Sequence, residues 1–392
     1  MQHRLGYHPA MAPTRPRPVS PPTPPNGERK RIDLGLQGGG AHGAFTWGVL
    51  DRLLADERID VEGISGTSAG AMNAVVVADG LTRGGREAAR EGMARFWRAV
   101  SDAARSSPIQ RTWFDQMLGN WSLDLSPGFI AMDLMSRLLS PYDTNPLDIN
   151  PLRDILASAV DFDRVNTCPS LKVYVTATHV QTGRPRTFRK PAITLDAVMA
   201  SACLPFMFKA VEIDGEAYWD GGYMGNPVLH PLVEETEARD LVIVQINPLR
   251  REGVPRTARD ILNRVNEISF NASLLKDIRA ILLLKELGGE QGHHDERLRD
   301  LMLHRIHAEA EMMELSVSSK MNAEWAFLEH LHDIGWRAAE DWLAAHRDDI
   351  GERSTYPLDH VLWDLDTVMR DAARSAVVPA RRRGRAAKGD AA

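Results

Sequence analysis

Within the first fifty residues of order, a short apolar strand, a tight glycine turn and an apolar helix occur twice in succession. "RIDLGLQ" closes on the glycines of "GGGAHG" and leads into "AFTWGVLDRLLAD", which puts Phe45, Val49, Leu50, Leu53 and Leu54 on one helical face. "IDVEGIS" then runs into "GTSAG" and the strongly apolar "AMNAVVVADG". Strands that alternate with helices in this way pair side by side in a parallel sheet, with the helices packed on its faces. The expected class is therefore α/β.

The glycines admit two chemistries. Gly38, Gly40 and Gly43 have the G-x-G-x-x-G spacing of a dinucleotide loop, and Glu62, nineteen residues beyond Gly43, stands where such a fold places an acid for the ribose. Glu62, however, lies within the second strand, which ends in Gly66-Thr67-Ser68-Ala69-Gly70, a G-x-S-x-G nucleophile elbow between a strand and a helix. That pattern would arise by chance in a chain of this length roughly once in seven. Its strand-and-helix context is what makes it informative. A sharp strand-to-helix turn lifts the serine hydroxyl clear of the backbone at a helix N-terminus, where N–H groups favour developing negative charge. If the first two strands are neighbours, the N–H groups of Gly38, Gly39 and Gly40 end at the same edge and form an oxyanion hole for an ester under attack.

At this point the chain resembles the patatin-like phospholipases. The resemblance rests on "GGGAHG" at 38–43, "GTSAG" at 66–70 and "DGG" at 220–222, with "ASACLPFMFKAVEIDGEAYWDGG" and "YVTATHVQTGRPRTF" between them, and covers about residues 31–235. It implies a three-layer fold with a mainly parallel central sheet flanked by helices, followed by a C-terminal helical region. It also implies a serine lipid acyl hydrolase that uses Ser68 as nucleophile and Asp220 as its activating base. Gly38, Gly39 and Gly40 then make the oxyanion hole, with Gly43, Gly66, Gly70, Gly221 and Gly222 supporting the motifs. Aspartate is a weak base at its usual pKa of about 3.9, so burial beside apolar groups such as Trp219 is expected to raise it. The family usually carries Arg or Lys where this chain has His42; that residue either titrates beside the loop or simply packs against the first helix.

Two rival readings stand beside this one. A Ser-Asp-His triad would have the chain order Ser68, Asp220, His230, although ten residues from acid to histidine is short and "NPVLHPLV" reads as the start of a helix. A nucleotide-binding module using 38–43 alone would leave Ser68 and Asp220 unexplained.

Further along, residues about 105–155 form an apolar, proline-broken insertion with Trp113, Phe114, Met117, Trp121, Phe129, Met132 and Met135. It is either a cap over a greasy site or a packed helical insertion. "LKVYVTATHV" (171–180) and "DLVIVQINP" (240–248) are buried strands, and 256–375 is a mainly helical region. Within it "NASLLKDIRAILLLKEL" packs on the sheet, lies on a membrane, or pairs with another helix. Residues 1–30 and 376–392 are disordered tails, which leaves 31–255 as the catalytic domain.

Charge narrows the partners. Residues 1–30 and 375–392 each carry a net +4, from Arg4, Arg15, Arg17, Arg29 and Lys30 against Glu28 and from Arg381, Arg382, Arg383, Arg385 and Lys388 against Asp390. The whole chain is −6, so the body between is −14. An acidic body argues against general nucleic-acid binding, because phosphate contacts need a basic face. The basic tails are solvated ends, or else touch an anionic membrane as a peripheral contact. With two cysteines, Cys168 and Cys203, there is no disulfide framework, and Cys203 reads as a small buried apolar residue. His293, His294, His304 and His307 read as solvated or packed, and no metal, calcium or nucleotide cofactor is called for. No secretory signal and no run of eighteen apolar residues is seen, and the expected location is the cytoplasm.

Overall fold

The computed structural model describes residues 29–251, 253–291 and 300–357. Residues 1–28, the second basic tail, and His293 and His294 lie outside the described residues; Lys30, expected in the first tail, instead opens the first strand and pairs with Ile59. Eight strands form one sheet: β1 (Lys30–Leu36), β2 (Ile59–Gly66), β3 (Lys172–His179), β4 (Pro185–Arg189), β5 (Val211–Ile213), β6 (Glu216–Asp220), β7 (Asp240–Gln245) and β8 (Met302–His307). Their order is β5-β6-β3-β2-β1-β7-β8, with β4 also paired to β3. The run from β3 to β8 is parallel, and β4, β5 and β6 add an antiparallel flank.

The glycine-punctuated elements form as the sequence dictates. α1 (Gly43–Ala55) follows β1 and buries Phe45, Val49, Leu50, Leu53 and Leu54. α2 (Ala69–Ala104) follows β2. Sequence reading ends the apolar helix at Gly80 and begins another near Phe96; the chain instead stays helical throughout, broken only at Gly84 and Gly85, where Gly85 takes φ 76°.

Helices cover both faces of the sheet. On one, Ile32, Leu34 and Leu36 of β1 and Val242 and Val244 of β7 pack with α1, α2 and the helix Trp325–His346. On the other, Leu241, Ile243 and Leu303 pack with Leu274, Ile278 and Ile281 of the helix Ala258–Gln291 and with Leu229 and Leu232. Of the three uses expected for "NASLLKDIRAILLLKEL", the structure thus shows packing on the sheet. Beyond 256 the chain is mainly helical, as expected, and β8 is a strand that the sequence did not announce: "MLHRIH" pairs parallel with β7 from Met302 to His307. Two histidines and an arginine in six residues hide its apolar alternation, and the neighbouring strand supplies the signal that the segment lacks.

Candidate active site

Register sets the site. Leu36 at the end of β1 pairs with Gly66 at the end of β2, and Gly66 pairs with Val175 of β3. The glycine loop and the G-x-S-x-G turn therefore leave the same edge of the sheet side by side, the edge at which parallel α/β sheets build their sites. β6 runs antiparallel and brings its last residue, Asp220, opposite Ala177, two residues past the level of Gly66. Two motifs within the first 70 residues and a third about 150 residues further along the chain converge at one edge.

Ser68 sits at the turn from β2 into α2 with φ 54° and ψ −122°, a conformation that costs a residue with a side chain roughly 1–3 kcal/mol. The surrounding hydrogen bonds hold it there. Its N–H donates to Ser201 Oγ at 2.9 Å, the Gly70 N–H donates to the Thr67 carbonyl at 2.9 Å, and the Thr67 hydroxyl donates to the Gly225 carbonyl at 2.8 Å. Gly38 lies directly against this turn: a Cβ there would fall 2.7 Å from Ser68 Cβ and 2.7 Å from the Thr67 carbonyl oxygen. Only glycine permits so close an approach of loop to elbow.

Asp220 is enclosed, and burial pushes its carboxyl up to about 7 against the opposing pull of the Gly222 N–H, the Ser68 side chain and Lys320. The Gly222 N–H donates to Asp220 Oδ1 at 2.7 Å, and the Asp220 N–H donates to the Cys203 carbonyl at 2.8 Å. The expected rise is present, and enclosure of the carboxyl itself is its largest cause. Cys203 is buried beside it, its thiol pushed up to about 12, and donates to the Lys209 carbonyl at 3.0 Å.

In the glycine loop the three N–H groups are not equivalent. That of Gly38 donates to Asn226 Oδ1 at 2.6 Å, whereas those of Gly39 and Gly40, at the start of the short turn Gly40–His42, have no acceptor among the described residues. Two donors rather than three are thus open to a ligand. His42 packs: its Nε2 lies 2.8 Å from Ser319 Oγ, its ring meets the edge of Phe327 at 6.1 Å, and burial holds its pKa well below the usual histidine range. It is a neutral group at pH 7.

The rival readings lose their residues. His230 is exposed at the start of a short helix, where its electrostatic neighbour is Asp277, and it is absent from the groups that act on Asp220. Glu62 is held by Lys172 at 3.0 Å and by the Glu237 N–H at 2.9 Å. His304 is fixed between Asp240 and Thr355, each 2.9 Å away.

Sequence reading missed Ser201, Asn226, Asn247 and Lys320. The first two lie inside segments already singled out, in "ASACLPF" and just before Pro227, where a polar residue beside a motif is the available signal. Asn247 lies two residues past the end of β7, and Lys320 lies 100 residues past Asp220 in the short turn Val317–Met321, so neither had one.

Comparison with known proteins follows the same residues. Residues 34–233, just over half of the chain, match the profile of the family described as patatin-like phospholipase. A search of curated proteins gave no match. Among solved structures, VipD from Legionella pneumophila is similar at 14% identity and a TM-score of 0.34, covering 89% of this chain and 81% of that one. The heterodimeric complex ExoU-SpcU from the type III secretion system of Pseudomonas aeruginosa is similar at 14% identity and a TM-score of 0.27, covering 89% of this chain and 60% of the matched chain. The extent of the profile match, spanning all three motifs, decides the assignment: this chain belongs to the patatin-like phospholipase family.

Proposed function

We propose that the chain hydrolyses acyl esters of lipids, as a phospholipase A or lysophospholipase does, with Ser68 as nucleophile and Asp220 as the base that activates it. The observation that carries this reading is the enclosed Asp220 carboxyl acting on the Ser68 side chain, beside a loop with two open N–H donors.

In this reading ionised Asp220 takes the hydroxyl proton as Ser68 Oγ bonds to the ester carbon, and the carbonyl π electrons move onto oxygen. The oxyanion accepts from the N–H groups of Gly39 and Gly40, and the N-terminus of α2 adds its dipole. Collapse re-forms the carbonyl, breaks the bond to the alcohol and hands that oxygen the proton from Asp220. Water then repeats the sequence on the acyl-enzyme, with Asp220 taking the water proton and returning it to Ser68. The base must be ionised, so activity climbs with pH through the Asp220 value of about 7.

The apolar insertion supports a lipid taken from a surface. Lys209 Nζ donates to the Pro146 carbonyl at 2.8 Å and the Ala210 N–H to the Tyr142 hydroxyl at 3.4 Å, which ties the insertion to the loop carrying Cys203 beside Asp220. Among the described residues no helix is long and apolar enough to cross a membrane. The reading therefore involves peripheral contact and a substrate that reaches the site from a lipid layer.

Wild type, Ser68→Ala and Asp220→Asn are to be compared on short p-nitrophenyl esters and on phospholipid vesicles. Expected is a fall in kcat of at least about a thousandfold in both variants, with circular dichroism and melting unchanged. Equal rates in all three proteins on every ester would end the catalytic reading, and full activity in Asp220→Asn alone would remove Asp220 from it.

A further inference from the structure

Beyond the residues matched by the family profile, the chain returns to the glycine loop once more. The short turn Val317–Met321 lies against it. Ser319 receives His42, and the main chain of Lys320 presses on Gly40: a Cβ at Gly40 would stand 2.4 Å from the Lys320 carbonyl oxygen, and Gly40 has φ 58°. The Lys320 side chain then runs inward. Its Nζ donates to Asn247 Oδ1 at 2.9 Å and to Asn266 Oδ1 at 3.0 Å and lies 5.4 Å from the centre of the Phe270 ring. Phe270 in turn packs against Gly222, next to Asp220.

Asn247 completes a path to the loop. While its Oδ1 accepts from Lys320, its Nδ2 donates to the Gly38 carbonyl at 3.3 Å and to Gln37 Oε1 at 3.3 Å. The Gly38 carbonyl belongs to the same peptide unit as the Gly39 N–H, one of the two open donors. A hydrogen bond to one end of a peptide fixes its plane and polarises the N–H at the other end. A cation held on Asn247 strengthens both effects, because bonds to charged groups are the shorter and stronger ones.

We propose that Lys320 is the positioning residue of this site, acting through Asn247 on the Gly38–Gly39 peptide and through space on Asp220. The inference rests on the Ser68–Asp220 reading and supplies the positive charge that the loop lacks, since burial keeps His42 neutral. Burial depresses the Lys320 ammonium to about 8, and Asp220 and Glu267 oppose that depression. The same ammonium holds the Asp220 carboxyl lower and the His42 ring lower than burial alone would. Other groups face this pair: Glu267, which is itself paired with Arg251 and Arg264, and Cys203 and Tyr223, which burial first and the nearby Asp220 second hold in their neutral forms. None of these supplies a positive charge to Asp220, so removal of Lys320 leaves burial less opposed and the carboxyl higher.

The experiment is the pH dependence of kcat for p-nitrophenyl butyrate, measured in full-length wild type, Lys320→Met and Lys320→Arg, with Ser68→Ala as the blank. Expected in Lys320→Met is a plateau kcat about tenfold lower or more, and an acid limb moved upward by about half a pH unit or more. Lys320→Arg keeps the charge and is expected to return the limb toward the wild-type position. A side chain that only fills space would change the melting temperature and leave the limb where it was. Should Lys320→Met fail to fold, Lys320→Gln, which keeps a donor for Asn247 and Asn266, is read in the same way. An unmoved limb in a folded neutral variant overturns the role of Lys320 while Ser68-dependent hydrolysis by wild type leaves the catalytic reading standing. If wild type is no faster than Ser68→Ala, both fall together.

Discussion

Asp33 shows how a single carboxyl far from the site can weigh on the whole fold. It is buried in β1, where the Thr236 hydroxyl donates to it, and burial with Glu62 nearby pushes its pKa up to about 8 from a usual 3.8. The folded protein therefore binds this proton more tightly than the unfolded chain does. The resulting stability is complete below about pH 4 and is lost progressively as pH rises from there to about 8. Asp33→Asn removes the penalty: it is expected to gain on the order of 2 kcal/mol at pH 8 and close to nothing at pH 4, read from urea melts at the two values. A gain of equal size at both values would mean that packing, not ionisation, distinguishes the variants. Residues of this kind are silent in the sequence. "RIDLGLQ" announces a strand, but the depth of Asp33 follows from Thr236 and Gly63 arriving from elsewhere in the chain. Ser68 differs, because the requirement for glycines around a strained turn is written locally.

At the scale of elements, the break in α2 is a case where local chemistry alone decides. Gly84 and Gly85 interrupt an otherwise continuous helical stretch, and beyond them Ala89 returns so close to Gly80 that a Cβ on Gly80 would lie 2.3 Å from it. No atom lies within 4 Å of where a Cβ on Gly85 would stand, so Gly85→Ala meets only the cost of its positive φ. A loss of about 1–3 kcal/mol in stability is expected, with esterase activity unchanged, as measured by denaturant melts alongside kcat. A loss several times larger would place a contact at Gly85 that the geometry does not contain. The paired glycines are visible in "TRGGRE", yet periodicity on both sides is helical, which is why sequence reading divides this stretch elsewhere. β8 is the opposite case: its six residues carry little strand signal, and pairing with β7 supplies it.

For the molecule as a whole, the insertion is the open feature. Trp113, Met117, Ile130, Leu134, Leu138 and Leu147 are each more than half exposed, and Phe206, on the loop that carries Cys203, is 69% exposed. Monomeric proteins seldom leave this much large apolar surface unused. On the proposed reading of a substrate drawn from a lipid layer, the triple variant Trp113→Ser, Ile130→Ser, Leu134→Ser is expected to lower hydrolysis of phosphatidylcholine vesicles about tenfold and hydrolysis of a soluble ester far less. Equal loss on both substrates would make the insertion part of the folded core of the site instead. Sequence reading left cap and core packing open for this segment because its composition suits both; exposure is a property of where the neighbouring elements end.

The α/β class, the two strand-turn-helix units and the three motifs are legible in the residue order alone, because each is local: periodicity fixes strand or helix, and glycine is required wherever a turn is too tight for a side chain. Sheet register was not local. The antiparallel entry of Asp220 beside β3, the hydrogen bond from the Gly38 N–H to Asn226, and the reach of Lys320 to the glycine loop through Asn247 come from the folded arrangement. Those contacts join residues separated by tens to hundreds of positions, and no pattern within a short window encodes which distant side chain will fill the space beside a loop.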